Sequence, residues 1–304
     1  MIVTSAADFL AAYSAQRFPA SAPATARAAF LVAPQGFSLA AESATDNRYM
    51  RMEQRTDALR ALAQHAELAS ALRACVPTVV FPGDAHTPDA VFPNNVFASA
   101  PGRLIVGAMR HAVRRREAAR ADIRAFFTDL LHCELVDLSA TPCVAELTGA
   151  LVIDRARGIG YCGLSERCDM SGARAMHEAF GLKLTFCFAL AAGEYHSNVL
   201  LAVLASRALL IAPDGFADAS AAEAIASVYA PCVLRLDAAQ KAAFAGNAIA
   251  LSPRRVWLSA RGAGSLRDEQ REALAHWGFE LRAVALDEIE KAGGSLRCCV
   301  AEIF

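Results

Sequence analysis

Charge of one sign is missing from this sequence. Thirty Lys and Arg stand against 31 Asp and Glu, leaving a net charge of −1. A nucleic-acid partner needs a clear cationic surplus to meet its phosphates, so none is expected. Long apolar runs are missing too. None approaches the roughly 18 residues of a membrane span, and the apolar start from Met1 to Leu10 carries Asp8. Neither a signal peptide nor a membrane partner is expected. The nine cysteines are scattered, with no Cys-x-x-Cys or His-x-x-x-His pair among them. That excludes a disulfide framework and disfavours structural zinc; reduced thiols, a cytoplasmic location, and no metal or cofactor are the expectation.

What remains is a chain of 304 residues, 55% hydrophobic, long enough to bury a large core. Its one dense basic run, Arg110 to Arg120, alternates with alanine and reads first as a solvated helix face. A repeat is also present. Small or amide residues enter an apolar stretch, a turn follows, and a second apolar stretch comes after it. The entries fall at Asn95, Gly149, Asn198, Asn247 and Gly294, steps of about fifty residues.

Helical spacing follows the hairpins at 114–131, 171–180, 217–229 and 266–277, each succeeded by another apolar strand, so the unit reads ββαβ. The fifth hairpin lacks a third strand, which Ala29–Ala33 would supply. Pairing the C-terminal strand with an N-terminal one closes a ring and removes two sheet edges. An open α/β sheet is the alternative. The whole chain, 1–304, is read as one catalytic domain.

In such a ring the N-terminal ends of the first strands open at one mouth. That gathers Asn94, Asn95, Glu146, His196, Asn198, Asn247 and Cys298 with its Gly293-Gly294 loop. A thiol, an imidazole and a carboxylate then come from three different units, a set suited to nucleophilic catalysis. Taken singly, each has a blander reading: a buried thiol, a strand-end histidine, a solvated glutamate.

Six segments carry a family resemblance: Pro88–Ser99, Met109–Arg120, Glu146–Leu151, Tyr195–Val199, Phe244–Asn247 and Gly293–Phe304. Together they resemble the amidinotransferase and arginine-deiminase superfamily, in its citrulline-utilisation (CtlX-type) hydrolase branch. The resemblance implies a five-bladed α/β propeller with pseudo-fivefold symmetry. It also implies Cys298 as nucleophile, His196 as general acid/base and Glu146 as the carboxylate. Asn95, Asn198, Asn94, Asp89, Gly294 and Arg116 are the expected substrate-binding residues; Arg114 and Arg115 are alternatives to Arg116 as the fork for a substrate carboxylate. Cys299, on the opposite face of a strand from Cys298, has no implied role.

Two departures bear on the substrate. Where relatives acting on a guanidinium carry aspartates, this sequence has Asn95 and Asn198. An amide suits a neutral ureido group, next to which a buried carboxylate is an uncompensated charge. The expected substrate is therefore a small amino acid with a ureido head group, citrulline first, cleaved to ornithine, ammonia and carbon dioxide through a covalent cysteine intermediate. The rivals are an arginine deiminase or dimethylarginine-type hydrolase, an amidinotransferase, and a non-catalytic amino-acid sensor. Oligomeric state is left open, a homodimer included.

Overall fold

A computed structural model describes residues 1–304. The chain begins with a two-residue strand β1 (Ile2–Val3), the helix Ala6–Ala15, and strand β2 (Ala28–Val32). The helix Ala58–Arg73 leads to β3 (Thr78–Phe81). Four similar units follow. They are β4 (Phe97–Ala100), β5 (Arg103–Val106) and β6 (Glu134–Asp137), then β7 (Leu151–Asp154), β8 (Ile159–Leu164) and β9 (Leu184–Ala189). Next come β10 (Leu201–Leu204), β11 (Ala208–Ile211) and β12 (Val233–Arg235), and β13 (Ile249–Ser252), β14 (Arg255–Ser259) and β15 (Glu280–Val284). The last strand is β16 (Ala301–Ile303).

In each unit the first two strands pair antiparallel across a tight turn, and the third returns parallel to the second. A parallel return needs a crossover, which the intervening helical segment provides. Five separate sheets result, and no single sheet is closed by hydrogen bonds. β1 adds a fourth, parallel strand to the edge of β9, and Phe9 of the following helix stacks on Phe186 in the core.

The fifth sheet corrects the sequence reading. β16 pairs antiparallel with β2, placing Ala301 opposite Phe30, as expected. β2 in turn pairs parallel with β3. The N-terminal region thus contributes two strands and the helix between them, where one strand was expected. The pattern was missed because β3, Thr78–Phe81, is short and stands far from the hairpin it completes.

A second correction concerns the strand entries. Pro93–Asn95, Leu147–Ala150, Ser197–Leu200 and Leu296–Cys299 each form one helical turn ahead of the strand they were expected to open. Four apolar or small residues cannot separate a buried turn from a strand by periodicity. The expected helix 114–131 is also broken, into Ala112–Ala118, Ala121–Ala125 and a wider turn Phe126–Leu130, because Arg120 leaves helical dihedrals.

Five hydrophobic clusters make up the core, each lying between two successive units. One joins the β16–β2–β3 sheet to β13–β15 through Leu31, Leu68, Trp257 and Val300. Another joins it to β4–β6 through Phe30, Phe97 and Ile303. Burying a leucine- or phenylalanine-sized side chain stabilises by roughly 1.5–3 kcal/mol. Packing between units, rather than a shared hydrogen-bond ladder, therefore holds the sheets to one another. Ser99 Oγ adds a polar tie, donating to the Glu302 carbonyl at 2.9 Å.

Candidate active site

The four helical turns ahead of the first strands lie inside the molecule, and they or the residue just before them place Asn94, Asn95, Glu146, Thr148, His196 and Asn198, all buried polar side chains. Cys298 sits on the last of these turns, behind Gly293-Gly294-Ser295. Gly293 has φ +75°, and a Cβ on it would come within 2.5 Å of the Asn47 amide; only glycine takes that conformation without strain. Tyr195 Oη donates to the Gly293 carbonyl at 2.5 Å, and Ser295 Oγ donates to Glu290 at 2.6 Å, so the loop is held from both ends.

Cys298 is 1% exposed. Asn247 Nδ2 donates to it at 3.3 Å, while Asn247 Oδ1 accepts the Arg297 backbone N–H at 2.9 Å. Burial pushes the thiol pKa up, and the hydrogen bonds at Ser295 and Asn247 with the Arg297 charge offset only part of that. Cys299 shares the turn, rather than the opposite face of a strand, and is buried with its thiol pushed well up, mainly by burial.

His196 and Glu146 are both fully buried, with His196 Nε2 2.9 Å from Glu146 Oε2. Burial alone would raise the Glu146 carboxyl. The Arg167 charge, with the His196 hydrogen bond and the Arg114 charge, outweighs burial and holds it below the usual carboxylate range. An ionised carboxylate only accepts, so His196 carries its proton on Nε2 and Nδ1 is left as acceptor. That Nδ1 has no protein partner. Burial lowers the His196 pKa despite Glu146, which keeps the ring neutral.

Gly149 shows where the free nitrogen lies. A Cβ on Gly149 would fall 2.8 Å from His196 Nδ1 and 2.7 Å from Asn95 Oδ1. The imidazole nitrogen and the amide oxygen therefore converge on one point, and Asn95 Oδ1 also lacks a partner. Sulfur and imidazole are not hydrogen-bonded to each other. They are linked through Asn198, two residues after His196, whose Oδ1 accepts from the Cys298 thiol at 3.8 Å.

A cleft of ≈ 290 Å³ opens beside the sulfur, and Asp89, Asn95, Gly294 and Cys298 line it. Asp89 accepts from Ser43 Oγ at 2.5 Å, and burial raises its pKa against the opposing Arg114 charge. Gly294 backs onto Phe92, whose ring a Cβ would meet at 2.8 Å. Asn94 is fully buried, and both ends of its amide lack a protein partner. Asn198 is placed beneath the sulfur instead, donating to the Thr148 carbonyl at 3.1 Å.

Arg116 is a correction. It is exposed and donates to the His86 carbonyl at 3.2 Å. The inward face of its helix is Val113, Arg114, Glu117 and Ala118; two residues on, at 100° each, Arg116 points the other way. Arg114 lines the cleft, paired with Glu117 at 2.8 Å.

The sequence reading missed Arg167, Ser43, Asp46 and Asn47. Arg167 bonds Glu146 at 3.1 Å and Asp46 at 2.5 Å, and with Ser43 and Asn47 it completes the cleft wall. A lone arginine in Ser165-Glu166-Arg167-Cys168 looks like any solvated loop arginine. No group of three or more His, Cys, Asp or Glu is arranged to hold a metal ion, and no helix is long and apolar enough to cross a membrane.

Residues 33–304 match the family described as N,N dimethylarginine dimethylhydrolase, eukaryotic. The chain belongs to this family. Dimethylarginine dimethylhydrolases act on carbon–nitrogen bonds other than peptide bonds, so the protein is a hydrolase of the amidinotransferase superfamily. No curated protein sequence matches.

Among solved structures, the N-terminal domain of ArgZ, a cyanobacterial arginine dihydrolase, is similar with a TM-score of 0.78 and 19% identity over 91% of this chain and 97% of that one. Unliganded AgrE gives the same score and identity, but this chain spans only 39% of it. A dimethylarginine dimethylaminohydrolase adduct gives 0.70 and 21%, over 91% and 99% of the two chains. These likenesses place the fold with the superfamily's α/β enzymes.

Proposed function

We propose that the protein hydrolyses a ureido amino acid, citrulline first, by attack of Cys298. The observation that carries this reading is the state of the carboxylates. Glu146 is committed to Arg167 and His196, and Asp89 to Ser43. The free polar groups in and beside the cleft are neutral: the Asn95 amide oxygen and His196 Nδ1. Apart from Asp89, which meets only a hydroxyl, a guanidinium would find no carboxylate without a cationic partner to face, whereas an amide offers both a donor and an acceptor to a ureido group.

In this reading the Cys298 sulfur bonds to the ureido carbon and the C–N bond to the departing amine breaks. The thiol proton travels by way of His196 Nδ1 to the amine, which leaves as ornithine. Water then attacks the carbamoyl thioester, C–O replaces C–S, a proton returns to sulfur, and the carbamate released yields ammonia and carbon dioxide. Glu146 holds the imidazole tautomer. Arg114 and Arg167, both on the cleft wall, receive the substrate carboxylate. The same reading takes the five sheets as blades of a pseudo-fivefold propeller spanning 1–304. Core clusters that run from each unit to the next and back to the first support it. It also keeps this chain with the citrulline-utilisation branch of the superfamily.

One observation favours a second reading. Asp89 is a carboxylate buried in the cleft with its pKa raised, an anion that a substrate guanidinium would stabilise. Purified protein is assayed for ornithine, citrulline and dimethylamine after incubation with citrulline, arginine or N,N-dimethylarginine. Ornithine from citrulline, abolished by Cys298→Ser, is expected. Product from arginine or dimethylarginine alone would replace the first reading with the second.

A further inference from the structure

Three thiols outside the cleft form a cluster. Cys162 is on β8, Cys187 stands opposite it in register on β9, and Cys168 ends the turn that follows β8. All three are buried, and the Cys162 and Cys168 sulfurs are 3.6 Å apart. Hydrogen bonds with Cys168 and Cys187, and then burial, push the Cys162 thiol pKa up; the Cys162 hydrogen bond lowers that of Cys187. Cys187 is enclosed mid-strand between the buried Phe186 and Phe188, whereas Cys168 has exposed Glu166 and Asp169 close by in the chain.

The turn joins this cluster to the active site. Ser165 and Cys168 exchange backbone hydrogen bonds at 3.1 and 3.2 Å, which puts Glu166 and Arg167 at its tip. Arg167 is tied to Glu146 twice: its guanidinium bonds the carboxylate at 3.1 Å, and its carbonyl accepts the Glu146 N–H at 3.2 Å. Glu146 in turn meets His196 at 2.9 Å. Direct contacts therefore run from the Cys168 backbone to the imidazole.

We infer that Cys162 and Cys168 form a reversible disulfide that disables the active site by displacing Arg167. The oxidant is a small peroxide. Its O–O bond breaks as the Cys168 sulfur takes one oxygen to become a sulfenic acid, and hydrogen peroxide then leaves as water. The Cys162 thiol attacks that sulfur, S–S forms as S–O breaks, and a second water departs. Closure brings the sulfurs from 3.6 Å to about 2 Å. β8 is held in its sheet between β7 and β9, so the turn makes most of the movement and takes Arg167 with it. A small thiol reverses the bond by exchange.

The test oxidises the protein with hydrogen peroxide, alkylates free thiols and digests with trypsin without reduction. Trypsin cuts after Arg157, Arg167 and Arg174, so Gly158–Arg167 and Cys168–Arg174 should be recovered as one linked pair. Turnover of citrulline, arginine or N,N-dimethylarginine, whichever the untreated protein hydrolyses, should fall at least about tenfold and return with dithiothreitol. Cys162→Ala and Cys168→Ala should keep their rate through an exposure that inactivates the wild type; direct oxidation of Cys298 lowers all three alike.

No linked pair, or Cys162 linked instead to the peptide of Cys187, would overturn the site. Linked protein with undiminished turnover, or alanine variants inactivated as fast as the wild type, would overturn its connection to Arg167. Should neither variant fold, the wild type decides: its activity must fall and return in step with the linked pair while Cys298 is recovered as a free thiol. The linked pair is read by mass alone, so a protein that hydrolyses none of the three substrates would remove the functional reading and not the disulfide.

Discussion

Two arginine–glutamate pairs in this molecule differ in everything except their chemistry. Arg235 and Glu223 meet at 2.6 Å on the surface, with side chains 49% and 59% exposed. Arg167 and Glu146 meet at 3.1 Å, with side chains 2% and 0% exposed. The shorter pair is the weaker one. In water-rich surroundings the Coulomb energy is screened and fixing two long side chains offsets much of it. In the interior, neither ion can be left alone, so the pair determines the state of its neighbours. Through Arg167 the Glu146 carboxylate stays ionised, and through that carboxylate His196 keeps one tautomer.

Substituting a member of the buried pair should have the largest effect. Arg167→Met leaves the buried Glu146 without its paired cation, although Asp46 keeps Arg110 and His111, and a loss of about 3–5 kcal/mol is expected in urea denaturation. Turnover should vanish with it. Glu146→Gln sharpens the comparison by keeping the shape and removing the charge. The amide can present a donor to His196 Nε2 and invert the tautomer, so kcat should fall about a hundredfold or more while KM changes little. A fall in affinity with kcat intact would assign Glu146 to substrate binding.

His65 tests what happens to a buried group with no pair at all. It is 2% exposed, and burial lowers its pKa from 6.5 to about 4. Between those values the unfolded chain takes up a proton that the folded one refuses. Stability is therefore full above pH 6.5 and declines as pH falls towards 4, by roughly 3 kcal/mol for this group. His196, lowered for the same first reason, adds in the same direction. His65→Leu should flatten the acid limb of a stability–pH curve measured by thermal denaturation. An unchanged limb would show that His65 is not its source.

The smallest effect belongs to the surface: Arg235→Ala should shift stability by less than about 1 kcal/mol and leave kcat unaltered. A larger loss would break the contrast between the two pairs.

Much of the fold was legible because its signals are local. Strand alternation, tight turns and helical spacing repeat within each unit, and Asn95, Gly149, Asn198 and Asn247 mark four of the entries. What was not legible depends on distant partners or on phase. Arg116 and Arg114 differ only by position around a helix whose start the basic run obscured. Arg167 and Asp46 stand 121 residues apart and carry no spacing signal. The helical turns before the strands eluded periodicity because one turn is shorter than the period that would reveal it. Gly149 was noticed as a repeat marker, yet its contact with the free nitrogen of His196 is a matter of fractions of an ångström.

The pairing of β16 with β2 joins residues 301–303 to residues 28–30, closing a loop of nearly the whole chain. Contacts that distant form slowly, after local hairpins and helices have settled. The turn that carries the sulfur is anchored on that strand, whereas Glu146 and His196 stand ahead of strands whose hairpin partners follow within about a dozen residues. During refolding, secondary structure should return first and the capacity to react with an alkylating reagent in a substrate-protected manner should return last.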